Sequence, residues 1–255
     1  MERNLTGEAA PNRRVVTLTG SAALPFLQGL VSNDVLPLSK GPGLVWCALL
    51  TPQGKYLVDF FVAKTGETLL LDLPEALADA TLRRLTLYRL RADVQFHASD
   101  LAVSRGLGDP PTDALADPRH PALGWRLYGA ALGDPVVDWD ALRVDHLIPE
   151  TGVELNPDDS YLLEMGFERL HGVDFRKGCY VGQEVTARMK HKTELKKGLV
   201  RVVVEGWAVP GTEVTAGNKG VGRLFTQAAG HGLAHLRFDQ SVGVLQAGTA
   251  RLWRA

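Results

Sequence analysis

The sequence predicts an α+β protein, and three observations carry the prediction. The first hundred residues alternate strand-like and helix-like runs. A proline-broken middle tract follows. After about Lys196 the chain turns into short β-rich runs separated by Gly, Pro, Asn and Asp, which read as a small antiparallel barrel or sandwich.

Val15-Val16-Thr17-Leu18 is apolar and β-branched, a strand signal. Ala22, Ala23, Phe26, Leu27 and Leu30 then recur at helical spacing, and Ser32-Asn33-Asp34 ends that helix with turn chemistry. Leu44–Leu50 and Tyr56–Ala63 flank Thr51-Pro52-Gln53-Gly54 and predict a hairpin. Leu69–Leu73 is a further strand, and Pro74 opens an amphipathic helix to about Leu87. Between His97 and Asp140, prolines 110, 111, 118, 121 and 135 leave room only for short strands such as Ala102–Arg105 and Gly124–Leu127. Asp138–Ile148 predicts a helix that stops before Pro149, and Asp158–Leu163 a loop running into a short helical piece. The strands expected after Lys196 are Leu199–Val204, Thr212–Val214, Gly222–Ala228, Leu233–Phe238 and Thr249–Trp253. The glycines among them mark turns, since no phosphate-loop pattern is present.

At 255 residues, 45% hydrophobic and 22% charged, the chain needs neither disulfide nor metal to hold its core. A net charge of −1 announces no polyanionic partner. The polar stretch Met1–Arg14 offers no signal peptide, no run is long enough to span a membrane, and Cys47 and Cys179 are the two cysteines. These features predict a cytoplasmic protein with free thiols. Arg188, Lys190, His191, Lys192, Lys196 and Lys197 form a positive run without interleaved aromatics, which reads as a solvated helix end rather than a nucleic-acid surface. The histidines show no metal-ligand spacing.

One segment stands apart chemically: Phe175-Arg176-Lys177-Gly178-Cys179-Tyr180-Val181-Gly182-Gln183-Glu184. Val185 and Met189 share a helical face, so a helix is expected from about Gly182 to His191, with Cys179 in a glycine-flanked loop just ahead of it. A helix N-terminus, Arg176 and Lys177 favour a thiolate there, and the glycines allow a sharp turn and close approach of a ligand. Cys47, in the apolar run Val45–Leu49, reads as a packed core residue.

Lys177–Glu184 resembles the K-G-C-Y-x-G-Q-E signature of the YgfZ family. Phe26–Val35 is similar to that family's F-L-Q-x-x-x-T/S-N-D-V, Leu50–Lys55 to its hairpin turn, Arg143–Pro149 to R-x-E-x-G-I-P, and Arg188 with His191 to the trailing A-R-x-x-H. The resemblance implies two mixed α/β modules around a central opening plus a C-terminal antiparallel β-barrel, divided at about 1–100, 101–195 and 196–255.

It also implies a relative of the glycine-cleavage T-protein that binds tetrahydrofolate or a derivative. Such a protein supports iron–sulfur cluster assembly or repair, and through iron–sulfur enzymes tRNA modification, with Cys179 as its functional thiol. Its partners would be iron–sulfur assembly proteins or client enzymes, and it would be an accessory protein rather than a classical enzyme. The alternative is aminomethyl transfer to tetrahydrofolate. Transferases carry an Asp-Asp pair after the hairpin where this chain has Val58-Asp59, so Asp59 is the residual candidate base. Asp145 stands where the family has Glu and is the candidate acceptor for the pterin's N–H groups, although Leu147 replaces a nearby Gly. Arg176 and Lys177 suit the anionic folate tail, and Tyr180, Gln183 and Glu184 complete the candidate cofactor-binding set.

Overall fold

The structure, a computed structural model, describes residues 7–134, 136–192 and 194–255. Pro135, read above as a breaker, and residues 1–6 of the polar N-terminal stretch lie outside them. The chain forms two compact units, residues 1–52, 57–137 and 170–183 in the first, and 53–56, 138–169 and 184–255 in the second.

The first unit holds two antiparallel sheets. Its strands are β1 (Gly7–Ala9), β2 (Arg13–Thr19), β3 (Gly43–Leu50), β4 (Tyr56–Thr65), β5 (Thr68–Pro74), β6 (Gln95–Ala98), β7 (Ala102–Gly106), β8 (Leu115–Ala116) and β9 (Trp125–Gly129). One sheet runs β3-β4-β5-β2-β6 and the other β1-β7-β9-β8. Helices α1 (Ala23–Gln28) and α2 (Glu75–Arg89) belong to the same unit. Strand alternation explains why β2 and β5 read as unbroken apolar runs. Val16, Leu18, Leu71 and Leu73 join Leu27, Ala78 and Leu85 in one core, while Val15 and Leu70 face Val103 and Tyr128 in another. A sheet buried on both faces needs apolar residues at every position.

The polar N-terminal stretch contributes a strand that periodicity did not show. Glu8 of β1 is fully buried, its carboxylate accepting the N–H groups of Val136 and Val137 and pairing with Arg105. Strands β6 and β8 are short and were also unforeseen.

In the second unit, α3 (Trp139–His146) precedes a run of turns through residue 171. The short helical piece expected after Asp158 is therefore absent. Tyr56 N–H donates to the Ser160 carbonyl and Asp158 N–H to the Tyr56 carbonyl, while Ser160, Met165 and Phe167 close separate local turns on Asn156, Tyr161 and Leu162. Helix α4 (Gln183–Lys192) leads to strands β10 (Lys197–Glu205), β11 (Thr212–Ala216), β12 (Lys219–Ala228), β13 (His231–Arg237), β14 (Leu245–Ala247) and β15 (Ala250–Arg254). They close into a six-stranded barrel, β10-β13-β12-β11-β14-β15, around Val202, Val204, Leu224, Leu236 and Leu252. Closure removes the exposed sheet edges that a sandwich would leave. A Cβ at Gly222 would lie 2.0 Å from the His235 carbonyl oxygen, so the β12–β13 crossing admits only glycine.

Candidate functional site

Two motifs more than 130 residues apart are sewn together in the first unit. The segment after α1 supplies Ser32 and Asn33, and the segment 171–177 lies against it. Ser32 Oγ donates to the Gly172 carbonyl (2.6 Å), Asp174 N–H to the Ser32 carbonyl (3.1 Å), and Asn33 Nδ2 to the His171 carbonyl (2.6 Å). Asp174 Oδ1 accepts the N–H groups of Arg176 and Lys177, which turns the chain sharply.

Lys177 is buried, and its ammonium donates to the carbonyls of Gln28 (2.8 Å), Val31 and Asn33 (2.9 Å). Burial lowers its pKa to about 8. The folate-tail role expected for Lys177 is therefore corrected: its three protons are already committed to backbone oxygens. Cys179 follows and is exposed. Tyr180 is buried again, its ring centroid 5.0 Å from the Lys177 nitrogen, and Val181 packs on the apolar core. Gly182, at φ +82, adopts the left-handed backbone that admits the turn into α4. Gly178 is different: an added Cβ would meet nothing within 4 Å.

Arg176 extends into solvent, 95% exposed, its nearest acidic oxygen 3.9 Å away on Asp174. Gln183 opens α4, and Glu184 pairs with Arg188 one turn on (2.8 Å). Lys190 and Lys197 of the positive run also pair, with Glu168 and Glu164. Asp59 is buried, and its Oδ2 accepts the Trp46 indole N–H at 2.8 Å. Cys47 is fully buried, and burial pushes its thiol pKa well up, in keeping with a packing role.

Asp145 lies in the second unit, on α3, half-exposed and ion-paired with Arg201 at 2.9 Å. Its motif neighbour Arg143 is instead buried, bonded to Glu154 (2.9 Å), Thr226 Oγ1 (2.7 Å), Asp140 and the Ile148 carbonyl. Leu147 takes a left-handed conformation, φ 54 and ψ 47, at the end of α3. Glycine takes that conformation without strain. A cavity of about 1050 Å³ in this unit is lined by Arg143, Glu154, Glu164, Trp207, Arg223 and His235 among others, but not by Asp145. The Lys177 clamp and the Arg143 network escaped the sequence reading, because nothing in the chain couples residues so far apart.

Residues 196–253 match the CAF17 C-terminal β-barrel domain. The mitochondrial iron–sulfur cluster assembly factor IBA57 of Mus musculus is 30% identical over 93% of this chain and 79% of its own length. The IBA57 homolog of Mycosarcoma maydis, also mitochondrial, is 31% identical over 89% of this chain, which spans 63% of that relative's length. Among solved structures, the glycine cleavage system aminomethyltransferase T from Bartonella henselae superposes with a TM-score of 0.77 at 12% identity. It covers 98% of this chain and 84% of its own, a likeness of fold alone. The cytoplasmic expectation is overturned by these mitochondrial relatives: reduced thiols and an ordinary soluble composition suit more than one reducing compartment. The motif resemblance pointed to YgfZ proteins, and the relatives name a related family. At this identity and coverage the chain belongs to the IBA57 family of iron–sulfur cluster assembly factors.

Proposed function

We propose that this chain supports iron–sulfur cluster assembly by lending the Cys179 thiolate to a cluster in transit, in the mitochondrial setting of its relatives. The exposed thiol, held in an anchored loop, is the observation that carries the reading. One cysteine cannot supply the four ligands a cluster takes, so the others come from an assembly protein or client enzyme. Downstream effects, tRNA modification included, would follow from the clients. The YgfZ-like part of the proposal is a bound reduced folate. Within the second unit, Asp145 would exchange Arg201 for the pterin's N–H groups. Aminomethyl transfer has less support, because Val58-Asp59 keeps only half of the acidic pair that such transfer uses.

Two experiments test this reading. Cells depleted of their own family member receive wild type, Cys179→Ser or Cys47→Ser, and iron–sulfur enzyme activity is assayed. Loss with Cys179→Ser alone supports the proposal; full restoration by it removes the thiol from the function. Calorimetric titration with tetrahydrofolate, repeated on Asp145→Ala, tests the folate. Absence of heat with the wild-type protein would strike folate from the proposal and leave the thiol role standing.

A further inference from the structure

The Lys177 ammonium is spent inside the protein, on three carbonyls that converge where α1 ends and the chain turns through Val31 and Asn33. Carbonyls at a helix end lack partners within the helix, and one –NH3+ group can serve three of them at once. Immediately beyond Cys179, Tyr180 is buried and Val181, partly buried, packs on the first unit's core. The thiol is thus bracketed by an ionic clamp two residues before it and an apolar anchor one residue after it. A Cβ added at the intervening Gly178 would meet nothing within 4 Å, so the backbone there lies open on that side.

We propose that Lys177 is a positioning residue for Cys179: by tying the loop to the segment 28–33 it presents the thiol in one fixed direction. This rests on the reading of Cys179 as the functional thiol. Ordering the loop beforehand removes an entropic cost that a partner would otherwise meet on binding. The clamp is specific to lysine. A guanidinium is planar, and its in-plane fork cannot converge on three carbonyls around one nitrogen, so charge alone does not substitute.

The test uses the full chain as wild type, K177M, K177R and C179S. Hydrogen exchange is read on segments 28–33 and 174–182, and iron–sulfur enzyme activity is read in complemented cells. Lys177→Met and Lys177→Arg are expected to speed exchange in both segments by about tenfold or more. Both should also lower restored activity at wild-type protein levels. Wild-type exchange in both variants, or full activity with Lys177→Arg, overturns the proposal. Should Lys177→Met fail to fold, Lys177→Gln takes its place with the same two readings. Full activity with C179S would defeat the functional-thiol reading, while the exchange data would still show whether the clamp orders the loop.

Discussion

At the scale of single residues, the two cysteines separate by environment. Cys47 Sγ is enclosed in the first unit's core, 3.7 Å from the Phe60 carbonyl, whereas Cys179 faces solvent between anchors. Iodoacetamide is expected to alkylate Cys179 in the native protein and Cys47 only on unfolding, as peptide mass spectrometry would show. Cys47→Ser should cost about 1–3 kcal/mol in a denaturant titration, since a buried hydroxyl is harder to place than a thiol. Glycine and its absence tell a parallel story. Gly182 answers to a left-handed backbone, but Leu147 holds such a conformation without being glycine, at a cost of about 1–2 kcal/mol. The bonds from Arg169 to the His146 and Leu147 carbonyls help to hold it there.

At the scale of elements, Arg143 is the buried side chain that ties α3 to the barrel, beside the more exposed Asp145–Arg201 ion pair. The Arg143 guanidinium reaches Glu154 and Thr226 of β12, and Glu154 also accepts the N–H of Glu150 and of Thr226. Every polar atom that Glu154 presents is matched, so the carboxylate is stable only while its partners remain. Arg143→Met is expected to cost about 3–5 kcal/mol, because it leaves Glu154 buried and unpaired. Adding Glu154→Gln should recover part of that loss, and thermal melts of the single and double variants would measure the coupling.

At the scale of the whole molecule, acid stability rests on a buried charge cluster in the first unit. Burial alone would raise the Asp72 carboxyl, but Arg13 (2.6 Å) and Arg126 (2.7 Å) outweigh it and hold the group below the usual carboxylate range. Asp117 is likewise buried, and Arg119 and Arg126 hold it low. The three guanidiniums gather over Phe61, Arg126 closest at 4.2 Å. Because the folded state favours the ionised carboxylates, their contribution is complete above the unfolded value near pH 4 and is lost as pH falls through the lower folded values. Circular dichroism should show the native protein surviving to about pH 4 and unfolding below it. Asp72→Asn should weaken the fold by about 3–5 kcal/mol at neutral pH and flatten the acid limb.

What the sequence by itself determined is local. The strand and helix periods, the turn at Gly54, the β-rich C-terminal run and the K-G-C-Y-V-G-Q-E loop ahead of α4 are all read from neighbours in the chain. So is the choice between Cys47 and Cys179, because apolar against glycine-flanked, charged surroundings already separates a core thiol from a displayed one. Only the tertiary structure decided which charges are spent. Lys177 reads as an available cation and proves to be a clamp; Arg143 reads as a motif residue and proves to be a pin; Glu8 reads as part of a polar tail and proves buried. The physical reason is the same in each case. A charged side chain has one local signature in sequence, but its role depends on which distant carbonyl or carboxylate the fold brings within 3 Å, and burial then makes that partner obligatory.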